Sequence, residues 1–190
     1  MVGWILLGLL VLLLAWLVVV YNRLVALRQT TGQAWSDVDV QLKQRHDLVP
    51  NLVETVKGYA AHERGTLDAV VQARNAAALG GGGPRTPEQA AAAEGALGAA
   101  IGRLFALAEA YPDLKANASF QALQGELSDL ENRIAAARRF FNNAVAEYNA
   151  AIQQVPAVFF AGALGFTPRG FFEPEAAERA AIAAPPRVAF

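Results

Sequence analysis

The 190-residue chain contains no cysteine. That absence excludes disulfides, thiolate nucleophiles, iron–sulfur clusters and thiolate zinc sites together, along with a lipid carried on an N-terminal cysteine. It leaves the compartment open. Charge is also scarce, at 17% of residues against about 25% in an average soluble domain. The shortage is local, because no Lys, Arg, Asp or Glu occurs from Met1 to Tyr21. A formal net charge of −1 and a pI near 6.1 lack the basic excess with which nucleic-acid binders displace counterions from phosphates, so no nucleic acid is expected as a partner. Alternating strand-like patterning is missing as well, which points to an all-α chain. At 20.2 kDa the chain has room for one core and an anchor.

What stands in the charge-free segment is an uninterrupted apolar run from Met1 to Tyr21, the length a helix needs to cross a hydrocarbon core. Trp4 and Tyr21 bracket it, about 26 Å apart at 1.5 Å per residue, which suits rings at the two headgroup layers. A cleaved signal peptide would instead carry a basic start, a shorter apolar stretch and small residues before a cut. Arg23 and Arg28 follow the run, so the positive-inside rule places the N-terminus outside and the rest in the cytoplasm.

Beyond the anchor the spacing is helical. Leu24, Leu27, Thr31, Ala34, Trp35, Val38 and Leu42 step by three and four, so the anchor and the first helix that follows it read as one rod. Arg45–Asn51 contains Pro50, and the reading is a tight reversal with Asp47 as helix cap; a continuous kinked helix is the alternative. A second stripe runs from Val49 to Arg74 and stops at the glycine and proline cluster Gly80–Pro87. Pro87 and Glu88 open an alanine-rich helix that Tyr111-Pro112-Asp113 ends. Phe120, Leu127, Ile134, Phe141, Tyr148 and Val155 then recur with heptad spacing, a seam for knobs-into-holes packing. Four segments joined by short breaks predict an antiparallel four-helix bundle. The expected divisions are an anchor over 1–21, the bundle over 22–156, an aromatic docking segment over 157–174 and a tail over 175–190.

Tyr21-Asn22, Ala34-Trp35, the stretch from Gln41 to Ala60, His62-Glu63, Tyr111 to Asn117, Tyr148-Asn149 and Gly165-Phe166 together resemble the LemA family. The resemblance runs from the anchor to about Glu173, with the four-glycine loop and the alanine-rich tail as departures. It implies a bacterial inner-membrane protein with an N-terminal span and a cytoplasmic four-helix bundle, and it implies no agreed activity. A magnetosome-membrane protein belongs to the family, and family genes often accompany membrane proteases or envelope-stress functions. Kinship of fold is a weak warrant for mechanism.

The best enzyme candidates are His46, Asp47, His62 and Glu63, since His beside a carboxylate can act as acid, base or metal ligand. At about 100° per residue the two histidines would face opposite sides of one helix, and no H-E-x-x-H spacing exists. Gly80–Gly83 lacks the Lys and Ser/Thr of a phosphate-binding loop. No catalytic residue, cofactor or metal is therefore expected, and a metal-assisted hydrolase is the remote alternative.

The expected interaction surface has two parts. One is the turn bearing Lys43, Arg45, His46, Asp47, Pro50 and Asn51, which an upright first helix would hold roughly 35 Å from the bilayer. The other is the set Phe159, Phe160, Phe166, Phe171 and Phe172, which either docks on the bundle or meets lipid or a partner. The function expected is a non-enzymatic, single-pass, self-associating scaffold at the inner membrane. Its expected partners are membrane lipid, a second copy, and membrane proteins such as proteases or envelope-stress components. A lipid-facing module that organises membrane is the alternative.

Overall fold

The computed structural model describes residues 1–79 and 86–173. The expected tail over 175–190 and most of the glycine and proline cluster lie outside these residues. Among the described residues the chain is helical and has no strand: α1 (Val2–Lys57), α2 (Arg64–Leu79), α3 (Pro87–Ala108), the single turn α4 (Pro112–Lys115), α5 (Ala118–Gln153) and a 3-10 turn over Ala157–Phe159. Packing divides the chain into two units. Among the described residues the first comprises Met1–Asp37 with Arg139–Arg169, and the second Val38–Arg138 with Gly170–Glu173.

Helix α1 corrects the expected reversal at Arg45–Asn51, because it continues through Pro50 to Lys57. Asp47 therefore lies inside a helix and caps nothing. Proline in a helix interior removes one N–H and leaves the carbonyl four residues earlier without its usual donor. That carbonyl is His46 O, and the Nε of Arg74 on α2 donates to it at 3.1 Å. A side chain from a neighbouring helix thus supplies the missing bond, and the stripe of buried residues runs on through Val38, Leu42, Val49, Leu52, Val53 and Val56. The break falls instead at Gly58–Glu63. Glycine is a poor helix former, and the turn is closed by Ala60 N–H to Val56 O at 2.9 Å and Glu63 N–H to Ala60 O at 3.0 Å.

Thr86 caps α3 in a reciprocal box: its hydroxyl accepts from Gln89 N–H at 3.3 Å while its own N–H donates to the Gln89 side chain at 3.2 Å. The buried face of α3 carries Ala90, Leu97, Ile101, Leu104 and Ala108, together with Glu94. Asn117 Oδ1 accepts the N–H of Phe120 at 3.0 Å and so caps the start of α5. Along α5 the heptad residues Phe120, Leu127, Ile134, Phe141 and Tyr148 are all buried. Val155, the next in the series, lies past the end of the helix and is exposed.

The first unit has its own core. Leu24 of α1 packs with Tyr148, Ala151 and Ile152 of α5 and with Ala157, Ala161 and Phe166 from the segment that follows. Gly165 adopts φ +76, a left-handed conformation that glycine enters without cost, and this turns the chain so that Phe166 points inward. Phe166 meets Tyr21 edge to face at 5.7 Å between ring centroids, and Trp35 meets Phe141 at 5.1 Å.

Candidate functional site

The second unit carries an ion pair in its interior. Arg45 sits on α1 in the register of Leu42, Val49 and Leu52, and is only 4% exposed; Glu94 sits in the core register of α3 and is 6% exposed. The two form an ion pair, and Arg45 also donates to Glu131 of α5 at 2.7 Å. The second carboxylate oxygen of Glu94 is bound by His46 Nε2 at 2.7 Å. With Arg74 of α2 on the His46 carbonyl, the cluster gathers side chains from α1, α2, α3 and α5.

Burial opposes the charge on both central groups. For Arg45 the neighbouring carboxylates of Glu94 and Glu131 outweigh it, and the guanidinium is held above its ordinary pKa. Burial would likewise raise the Glu94 carboxyl, yet hydrogen bonds from His46 and Arg45 with the Arg45 charge hold it below the usual carboxylate range. Glu94 is thus a fixed anion with both oxygens engaged, which suits a clamp between helices better than a proton donor. A cavity of about 330 Å³ opens beside it, lined by Arg45, Glu94, Glu131 and Arg138 with Gly95 and Gly98 on one wall and Phe172 on another. The Nε of Arg45 is buried there without a hydrogen-bond partner.

Each residue expected to form an interaction surface has a definite place. Lys43, Asp47, Pro50 and Asn51 lie on exposed positions of α1, whereas Arg45 is buried and His46 is half-buried. Asp47 and Asn51 line a groove of about 560 Å³ whose other wall, from α5, carries Glu126, Asp129 and Arg133. Phe166 and Phe172 are buried, Phe160 is half-buried, and Phe159 and Phe171 are exposed. His62 is exposed in the turn after α1, and Glu63 accepts a hydrogen bond from the Tyr111 hydroxyl at 3.2 Å. Desolvation and the Glu63 carboxylate together raise the pKa of that hydroxyl. Among the described residues no group of three or more His, Asp or Glu is placed to hold a metal ion.

Sequence reasoning missed Glu94, Glu131 and Arg74. Glu94 had a legible signal, since it interrupts the apolar register of α3 four residues after Ala90 and three before Leu97. A charge in a core register needs a partner, and Arg45 breaks the α1 stripe in the same way.

In the first unit the polar residues serve the C-terminal segment. Tyr148 donates to Thr167 O at 3.1 Å, Asn149 Nδ2 to Arg169 O at 2.8 Å, and Arg169 N–H to Asn149 Oδ1 at 2.9 Å. The Arg169 guanidinium lies 5.7 Å from the Tyr148 ring centroid and bonds the Thr31 hydroxyl. These contacts give the Tyr148-Asn149 and Gly165-Phe166 pairs one structural role, which is to fasten residues 165–169.

The fold and site define a helical protein whose first helix includes an apolar stretch long enough to cross a membrane, with its most apolar window wholly unburied. Helix α3 is also long and apolar enough, but it is partly buried in its own unit. The chain belongs to the LemA family, whose model matches residues 34–190. It is similar to the magnetosome protein MamQ of Magnetospirillum gryphiswaldense, 27% identical over 187 residues that cover 87% of this chain and 69% of that one. It is equally similar to the magnetosome protein MamQ 2 of Paramagnetospirillum magneticum, 27% identical over 194 residues, covering 90% and 71%.

Proposed function

We propose that the protein is a non-enzymatic, single-pass scaffold of the bacterial inner membrane, with its N-terminus outside and the chain after Tyr21 on the cytoplasmic side, which self-associates and recruits partner proteins. One observation carries the reading. Large apolar side chains from Val2 to Val19, Trp4, Leu9 and Trp16 among them, face outward on α1 with nothing packed on them. So long an apolar surface is sustained by lipid, not by water. Arg23 and Arg28 at its carboxyl end support the orientation. The groove bearing Asp47, Asn51, Glu126, Asp129 and Arg133 is the surface offered to partners, since its polar side chains stand open while the neighbouring Arg45–Glu94 pair is buried.

Two measurements test the scaffold role. Native mass spectrometry of the full chain from nanodiscs is expected to give a homo-oligomer. Photo-crosslinkers at Asp47 and Asn51 in living cells are expected to capture a second copy or a membrane protein. Monomer alone, with no crosslinked product, would remove the reading.

A further inference from the structure

The sequence holds a second long stretch without charge: no Asp, Glu, Lys or Arg occurs from Tyr148 to Pro168. Both charge-free stretches belong to the first unit, and they touch. Phe166 lies against Tyr21, the last residue of the apolar run, and the core of the later segment packs on Val20 and Leu24. The turn after α5 is therefore fixed along α1 at the point where that helix leaves hydrocarbon.

The outward side of this turn is apolar. Phe159 is 79% exposed, Val155 73%, Leu164 51% and Val158 48%, while Ala157, Ala161 and Phe166 of the same segment are buried. The segment thus has an inner face seated on α1 and α5 and an outer face with no protein on it. Its backbone is largely closed upon itself: Val158 N–H bonds Gln154 O at 2.9 Å, Ala161 N–H bonds Ala157 O at 2.8 Å, and Phe166 N–H bonds Ala161 O at 2.9 Å. A backbone satisfied internally is what entry into a low-dielectric layer requires. Arg23 and Arg28, exposed on α1 just beyond Tyr21, stand where lipid phosphates would be.

We infer that the turn over residues 155–164 is a membrane foot: Val155, Val158, Phe159 and Leu164 enter the headgroup and acyl boundary of the same bilayer that the α1 run crosses. This deepens the proposed function and rests on its membrane anchor. The occupant is lipid, because the exposed side chains are apolar and the segment that bears them packs on Val20 and Tyr21 at the end of the apolar run. Insertion of such faces reaches about 5–10 Å below the surface. With the span, the foot makes a two-point attachment that fixes the rotation of α1 about its own axis.

The absence of native cysteine makes the test direct. Full-length single-cysteine variants Phe159→Cys and Leu164→Cys carry a bimane label in vesicles of phosphatidylethanolamine and phosphatidylglycerol. Val71→Cys, exposed on α2, is the aqueous reference, and Leu10→Cys reports the anchor itself. The expected result is several-fold stronger quenching by doxyl-labelled lipid at 159 and 164 than at 71, with iodide quenching ordered the opposite way. If label at 10 is quenched by lipid while labels at 159 and 164 behave like 71, the foot is wrong and the anchor stands. Labels at 159 and 164 shielded from both quenchers would mean a protein covers the turn, which also overturns the foot. Label at 10 open to iodide would remove the anchor and the foot together.

Discussion

The two units of this chain solve the burial problem in opposite ways. The first is held by apolar residues and rings, Tyr148, Phe166, Leu24 and Ala161, with Tyr148 and Asn149 donating to backbone oxygens and Arg169 bonding the Thr31 hydroxyl, but with no buried ion pair between its described residues. The second sets Arg45 and Glu94 inside its core and links them to Glu131 and His46. Taking charges out of water is expensive, and only close pairing offsets the cost. The charge-poor composition is a property of the first unit. The unit that contains the apolar run also holds the charge-free stretch from Tyr148 to Pro168, while the other uses charge to join four helices.

The comparison breaks first at Glu94. Glu94→Ala leaves Arg45 buried beside one half-exposed carboxylate, and losing one partner of a buried pair costs about 3–5 kcal/mol. Hydrogen exchange on the full chain in nanodiscs should show that loss in α1 and α3 residues of the second unit. The same group sets a pH dependence. Because the folded-state pKa of Glu94 is depressed, its stabilisation is fully present above the ordinary carboxylate range and is lost as pH falls through the depressed value. Acid titration of the denaturation midpoint should therefore fall less steeply in Glu94→Gln than in the parent chain.

Phe166→Ala is the counterpart in the first unit and should cost about 3–5 kcal/mol, as loss of a buried ring does. It should leave the acid profile unchanged, because Phe166 touches no titrating carboxylate pair. A smaller effect concerns Arg74 and Pro50. Arg74→Met strips the donor from the His46 carbonyl and should cost about 1–2 kcal/mol. In a Pro50→Ala background the helix supplies its own N–H to that carbonyl, so the same substitution should cost about 1 kcal/mol less, and a double-mutant cycle on denaturation midpoints reads the difference. Phe159→Ser, on the exposed turn, should change the denaturation midpoint in detergent hardly at all, within about 0.5 kcal/mol.

Much of the helical order was legible in the sequence. The apolar run, the start of α3 at Pro87, the stop at Tyr111-Pro112 and the buried series on α5 follow from composition and period. The misplaced turn shows where local rules end. Pro50 reads as a breaker because the donor that replaces its N–H comes from Arg74, on another helix, and no local rule reports a tertiary bond. Gly58 was the better stop signal and stood eight residues on. The ion-pair cluster was half visible: Arg45 and Glu94 each sit wrongly for a solvent-facing charge, but their pairing across the sequence is a product of packing. The phenylalanines after Pro156 divide into buried Phe166 and Phe172, half-buried Phe160, and exposed Phe159 and Phe171, a division set by which of them pack on the helices, and composition alone does not carry that distinction.

The proposed orientation puts the N-terminus and the chain after Tyr21 on opposite sides of the membrane. A membrane-impermeant maleimide applied to intact cells reads this in single-cysteine variants at Val2 and Lys43, both exposed on α1. The account predicts that Val2→Cys is labelled in intact cells and Lys43→Cys only after lysis. Labelling of Lys43→Cys from outside, with Val2→Cys protected until lysis, would contradict it.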